Sequence, residues 1–211
     1  FPRYFLNSVI VLAISLTLLL FIAACACYPL SRMKFKGNGF IYSVIVACMA
    51  IPVHITLIPI FRMSQAMHLY DTIWALIGPY VAIGVPISVF ILTSFMKSIP
   101  KEIEEAAEID GCSRFRMFFK IMLPMAKPGL STLAIYNGVT MWNEYIFAYT
   151  LTQSADSRTL PLAVWDFRGQ YSMDIPLIMA VLTLTALPMI ILFIFAQDKL
   201  IKGMTAGAVK G

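Results

Sequence analysis

Apolar positions gather into five long runs, near 4–30, 40–61, 72–95, 130–151 and 175–196. A helix of about 20 mainly apolar residues crosses the hydrocarbon core of a bilayer, so each run predicts a membrane span. Pro52, Pro59, Pro79, Pro86 and Pro188 fall inside these runs. Neighbouring helices and local kinks can satisfy the carbonyls a proline frees. These prolines therefore predict bent helices, either around a pathway or simply packed together. Polar linkers separate the runs, the longest being 97–129 and 152–174. The pattern predicts an all-α, polytopic transmembrane bundle forming one domain over 1–211.

Composition strengthens this reading. The chain is 60% hydrophobic and only 13% charged, against about 45–50% and about 25% in soluble domains. Cys25, Cys27 and Cys48 lie in apolar runs, Cys112 does not, and none forms a C-x-x-C pair. They read as small packing residues rather than metal ligands or disulfides.

Charge sets the orientation. Twelve of the sixteen Lys and Arg fall in the linker 31–39, the linker 97–129 and the segment after 196; Arg3, Arg62, Arg158 and Arg168 fall on the other side. Cationic loops stay in the cytoplasm. The expected topology has the start of the chain outside, its end inside, and a further span before Phe1. No charged leader precedes the first run, so it is not read as a signal peptide. The sequence pI of about 9.1 thus reports topology and argues against a nucleic-acid partner.

The long inner linker has its own pattern. Pro100 suits a first helical turn, and Glu102, Glu104 and Glu105 suit the positive end of a helix dipole. Gly111 suits a left-handed cap. The spacing predicts one short helix over 101–110 and a second over 114–122, capped by Ser113 and stopped by Pro124. The second alternates Arg114, Arg116 and Lys120 with Phe115, Phe118, Phe119 and Ile121, as an element at the membrane surface does. In the first, the small Ala106 and Ala107 beside Glu102, Glu105 and Glu108 fit either a solvated helix or a surface that a partner approaches closely.

The fourth run carries the most polar groups. Tyr136, Asn137, Thr140, Asn143, Glu144 and Phe147 fall within roughly 120° of arc at 100° per residue. A carboxylate in hydrocarbon costs at least ~2.5–3.5 kcal/mol, so Glu144 is expected to face protein or water. Amide, hydroxyl and carboxylate groups with an aromatic ring suit a sugar. Polar side chains also hold spans together, and for Asn143 and Glu144 both readings stand. Trp142 lies off the arc and is expected to pack. His54 is expected to be buried and satisfied, and Ser88 and Thr93 are secondary lining candidates. No metal-ligand cluster, nucleotide-binding loop or His-based catalytic constellation is present in the sequence, which argues against a membrane-embedded enzyme. A self-contained ion-coupled carrier would have Glu144 alone for its coupling carboxylate.

A resemblance gathers these pieces. Glu105-Ala106-Ala107, three residues, Gly111, nine residues, Ile121, one residue and Leu123-Pro124 resembles the EAA loop of bacterial ABC-importer permeases. "YPLSRMKFKG", "WNEYIFAYTL" and the ending "KGMTAGAVKG" are similar to the maltose-type carbohydrate permeases, the smaller subunit in particular. The resemblance implies a type I ABC importer permease fold in the bacterial inner membrane, with its C-terminus cytoplasmic. The loop's first helix would couple to a separate ATPase through Glu105, Ala106, Ala107 and Gly111; the acidic groups Glu102, Glu105 and Glu108, read from the residues themselves, could pair with arginines of that partner. It further implies a heterodimer with a related permease, two cytoplasmic ATPase subunits that use ATP-Mg, and an external binding protein meeting 152–174. No cofactor would be bound by this chain. The sugar is left open.

Overall fold

The computed structural model describes residues 1–167 and 175–208. Among them every regular element is helical. Two helices are unbroken and apolar enough to span a membrane, α1 (Pro2–Arg32) and α4 (Trp74–Ser98). They correspond to the first and third runs.

The second run is not one helix. It forms α2 (Asn38–Ala47), a 3-10 turn Cys48–Ala50, a second 3-10 turn Val53–Thr56, and α3 (Leu57–Ala66), with a 91° bend at the break. The cause is local. Pro52 donates no hydrogen bond, and its ring pushes Ile51 into extended backbone (φ −77°, ψ 121°). His54 lies on the turn after this break and is exposed, so the expectation that it is buried fails.

The inner linker forms α5 (Glu102–Ile109), α6 (Arg114–Met117), a π-helical turn Phe118–Met122, and α7 (Leu123–Met125), followed by α8 (Lys127–Trp142). Pro124 does not stop the second helix as the sequence predicts. It occupies the first turn of α7, where a missing N–H is tolerated. The fourth run also breaks. After α8 the chain leaves helical geometry at 143–145 and resumes as α9 (Ile146–Leu151). A 3-10 segment, Leu160–Phe167, and α10 (Ile175–Ala208) complete the order. α10 has Pro188 in its interior and an apolar stretch over Ile175–Ile191. Arg168 and the rest of 168–174 in the outer segment, and 209–211 of the basic tail, lie outside the described residues.

Two compact units share the chain. One draws on Phe1–Thr17, Pro52–Ile83 and Asn137–Ala196. Its core joins Tyr4, Trp142, Leu160, Ala163 and Val181. Trp142 packs as expected: it is buried, Phe5 meets its ring edge-on at 5.8 Å, and its indole N–H donates to the Thr185 carbonyl at 3.1 Å. The other unit draws on Leu18–Ile51, Gly84–Tyr136 and Gln197–Gly211. Its core joins Ala23, Cys27 and Tyr28 with Leu92, Met96, Met117, Met122 and Leu133. The π-helical turn rotates Phe118 inward, where its ring meets Tyr28 at 5.2 Å. All four cysteines are free; Cys27 packs in this core, whereas Cys25 and Cys48 are exposed.

Candidate functional site

α5 is closed by a pair of backbone bonds. Gly111, at φ +74°, donates to Glu108 O at 3.0 Å, and Cys112 donates to Ala107 O at 2.9 Å. This is a Schellman cap, which needs a residue in the left-handed region and therefore favours glycine. Ser113 then starts α6, its hydroxyl accepting from Arg116 N at 3.4 Å. Three carboxylates sit in the first turn of α5: Glu102, Glu104 and Glu105.

The faces of α5 differ from the sequence reading in one respect. Ala107 is buried in this chain's own core, so its small side chain serves internal packing, not a partner's approach. Glu102, Glu105, Ala106 and Glu108 are exposed, as is Gly111. Two large apolar side chains join them: Ile109 is 87% exposed and Phe115 75%. Phe115 belongs to the pattern read from the sequence as a membrane-surface element; Ile109 was passed over, although an isoleucine beside a glycine cap in an acidic helix is a signal of its own.

Arg32, read from the sequence only as a topological charge, organises this region. At the end of α1 its Nη2 donates to Met96 O at 2.6 Å and to Ile99 O at 2.5 Å, satisfying carbonyls at the end of α4. Its Nε lies 2.8 Å from Glu104 Oε1, with the two side chains only 3% and 17% exposed. The contact is an ion pair rather than an aligned hydrogen bond. Burial pushes the Glu104 carboxyl above its ordinary range; Arg32 opposes the shift and Glu108 adds to it.

The polar arc of the fourth run divides. Tyr136, Thr140 and Asn143 are exposed, whereas Asn137 and Phe147 are buried and Glu144 is half-buried. Phe147, at 2% exposure, offers no open ring face. The arc assumed one continuous helix, and the break at 143–145 ends that register. Glu144 occupies the break. Its carboxylate accepts the Tyr80 hydroxyl at 2.8 Å and the backbone N–H groups of Phe147 (2.8 Å) and Ala148 (3.1 Å). It therefore caps α9 and ties it to α4. The Asn143 amide donates back to Val139 O of α8 at 2.8 Å. Ser88 and Thr93 are fully buried.

A second organised region involves the turn 67–71 and the segment after α9. Asp71 has φ +60° and donates its N–H to Leu151 O at 2.9 Å. Its Oδ1 accepts from Gln153 N (2.7 Å), Ser154 N (2.8 Å), Ser154 Oγ (3.1 Å) and Ser157 Oγ (2.5 Å). Burial pushes this carboxyl up, but the donors from Ser157, Gln153 and Ser154 outweigh it and hold Asp71 below the ordinary carboxylate range. The start of α1 binds the same segment: Asn7 donates to Asp156 O (2.9 Å) and Arg158 O (2.8 Å), and Ser8 Oγ accepts from Leu160 N (2.8 Å). Among the described residues, no three His, Cys, Asp or Glu side chains gather as a metal site does.

Apolar helices of membrane-crossing length, with a capped helix on a charged linker between them, have the build of a multi-pass membrane protein. The fold agrees with that of a bacterial ABC transporter involved in the import of the acidic polysaccharide alginate: TM-score 0.80, 19% identity, 94% of this chain and 74% of that one. At that identity the likeness shows the fold alone. The sequence profile of the binding-protein-dependent transport system inner membrane component family matches residues 19–206. This chain belongs to that family of ABC-importer permeases. It is 57% identical to a putative ABC transporter permease protein of Caldicellulosiruptor sp. over all of this chain and 77% of the relative. It is also 35% identical to the arabinooligosaccharides transport system permease protein of Halalkalibacterium halodurans, over 99% of this chain and 74% of the relative.

Proposed function

We propose that this chain forms half of the translocation pathway of an ATP-driven importer of a sugar or oligosaccharide. An external binding protein delivers the substrate, and a related permease forms the other half. Two cytoplasmic ATPase subunits bind ATP-Mg, and one of them docks on α5; the chain itself binds no cofactor. The positive charge of the linkers supports a cytoplasmic location for α5 and the C-terminus, with the 152–174 segment outside. Relatives that carry oligosaccharides by name support the substrate class.

The observation that carries the coupling role is the construction of α5. Its outer face presents Glu105, Ala106 and Ile109 beside an exposed Gly111, and its first turn is held to α1 and α4 through Arg32. A push on α5 is therefore delivered to two spans at once. When the ATPases close on ATP, the spans rock between inward- and outward-facing states, as in alternating access. Tyr136, Asn137, Thr140 and Asn143 are the pathway candidates on α8 and at its end; Glu144 and Phe147 act in holding α9. The ion-coupled carrier reading loses support, because Glu144, the carboxylate it relied on, is engaged as a cap.

The test is purification of the native complex in mild detergent with its partners identified by mass spectrometry. An ATPase and a second permease with an EAA loop are expected. A protein that comes alone, even from crosslinked membranes, overturns the coupling role. Orientation is tested separately with cysteines at Ala155 and Lys34, of which an impermeant thiol reagent added to spheroplasts should label only the first.

A further inference from the structure

A pocket of about 540 Å³ opens where α3, the turn after it and the end of α9 come together, lined by Phe61, Tyr70, Tyr149, Gln153, Arg158 and Leu162 among others. It has two kinds of wall. One is aromatic: the Phe61 and Tyr70 rings meet edge-on at 5.1 Å, and the half-exposed Tyr149 lies parallel to Tyr145 at 5.9 Å. The other is polar, from Gln153 and Arg158. Asp71 fixes the backbone that carries that polar wall, since a single carboxylate oxygen holds the N–H groups of Gln153 and Ser154 and the hydroxyl of Ser157. The same aspartate follows Tyr70 in sequence, so both walls are anchored at one point. A concave site of several hundred Å³ with aromatic faces and a few polar groups held in place has the character of a small-molecule site.

We propose that this pocket is a carbohydrate subsite, separate from the polar arc of α8, that receives a sugar unit of the arriving substrate before it enters the pathway. Tyr149 and Tyr70 offer ring surface to the apolar C–H face of a sugar ring. The Gln153 amide and the Arg158 guanidinium supply donors for its hydroxyls. The hydrogen bonds to Asp71 hold the loop backbone in place, which lowers the ordering entropy to be lost on binding. This assignment rests on the sugar-importer reading above.

The test uses the whole complex in proteoliposomes with its binding protein, and maltotriose and raffinose as probes within a wider oligosaccharide screen. Two quantities are measured separately: uptake at limiting sugar, and affinity of the sugar-loaded binding protein for the complex. Tyr149→Ala and Gln153→Ala should lower uptake about three- to tenfold with docking unchanged, and Tyr149→Phe, which keeps the ring, should restore most of the loss. If docking weakens in step with uptake, the pocket seats the binding protein instead. If both alanine variants take up sugar normally, the subsite is refuted while the importer reading stands. If the wild-type complex takes up no oligosaccharide in the screen, the sugar reading fails and the subsite with it.

Discussion

Arg32 at the end of α1 and Glu104 in the first turn of α5 meet at 2.8 Å in an almost fully buried ion pair. Removing one partner of such a pair leaves an uncompensated charge, at a cost of about 3–5 kcal/mol. Arg32→Ala also frees the carbonyls of Met96 and Ile99. Arg32→Ala should therefore lower the thermal stability of the purified complex sharply, and Glu104→Gln by less, because the Met96 and Ile99 carbonyls still bind the Arg32 guanidinium. Equal, small losses in both variants would mean that the pair does not hold α5.

Glu144 and Tyr80 form the second long-range tie. Hydrogen bonds to a charged group contribute about 1.5–3 kcal/mol each. Tyr80→Phe and Glu144→Ala should both destabilise, and their double-mutant cycle should give a coupling of about 1.5–3 kcal/mol in thermal or chaotrope unfolding. Glu144→Ala should cost more than Tyr80→Phe, because it also strips the cap from Phe147 N and Ala148 N. A Glu144→Ala protein of normal stability but altered transport would return this carboxylate to the pathway.

The contrast between these ties and the loop motif shows what a single sequence can reveal. The left-handed Gly111, the Ser113 cap and the acidic first turn of α5 follow from residues a few positions apart, and all three were legible. The apolar runs of α1 and α4 were legible because length alone decides them. Arg32 with Glu104, Tyr80 with Glu144, and Asp71 with Ser157 join distant parts of the chain, and no local pattern announces them. The polar arc misled because helical periodicity was carried through a break that Glu144 itself stabilises. Ala107 misled because a small residue is equally suited to an internal and an external contact.

Two glycines of the inner loop separate backbone strain from crowding. A Cβ on Gly111 would meet nothing within 4 Å, yet its φ of +74° penalises any L side chain. A Cβ on Gly129 would lie 2.9 Å from Phe95 Cγ and 3.3 Å from Leu92 Cδ1. Gly111→Ala and Gly111→Phe should therefore lose a similar, modest stability of about 1–2 kcal/mol. Only the phenylalanine should uncouple ATP hydrolysis from transport, because its bulk projects into the space a docking ATPase needs. Gly129→Ala should cost about 1–3 kcal/mol through overpacking. Coupled transport by Gly111→Phe at wild-type rate would count against α5 as the docking element.

Asp71 gives the protein a defined pH dependence. Its carboxyl is held below the ordinary range by the donors of Gln153, Ser154 and Ser157, against the opposing effect of burial. A depressed folded-state pKa contributes stability that is complete above the unfolded-state value and is lost as pH falls through the folded-state value. At neutral pH the carboxylate is ionised in both states and the network is at full strength. On acidification the unfolded chain takes up the proton first, so the advantage shrinks, and it ends once the folded carboxyl is protonated as well. Asp71→Asn keeps an acceptor oxygen but has no such titration. Unfolding temperatures measured from neutral to strongly acidic pH should show wild type above Asp71→Asn at neutral pH, with the gap closing through and below the carboxylate range. A gap that is constant, or that widens on acidification, would mean that the Asp71 charge does not hold the loop, and the rigid polar wall built on it would lose its support.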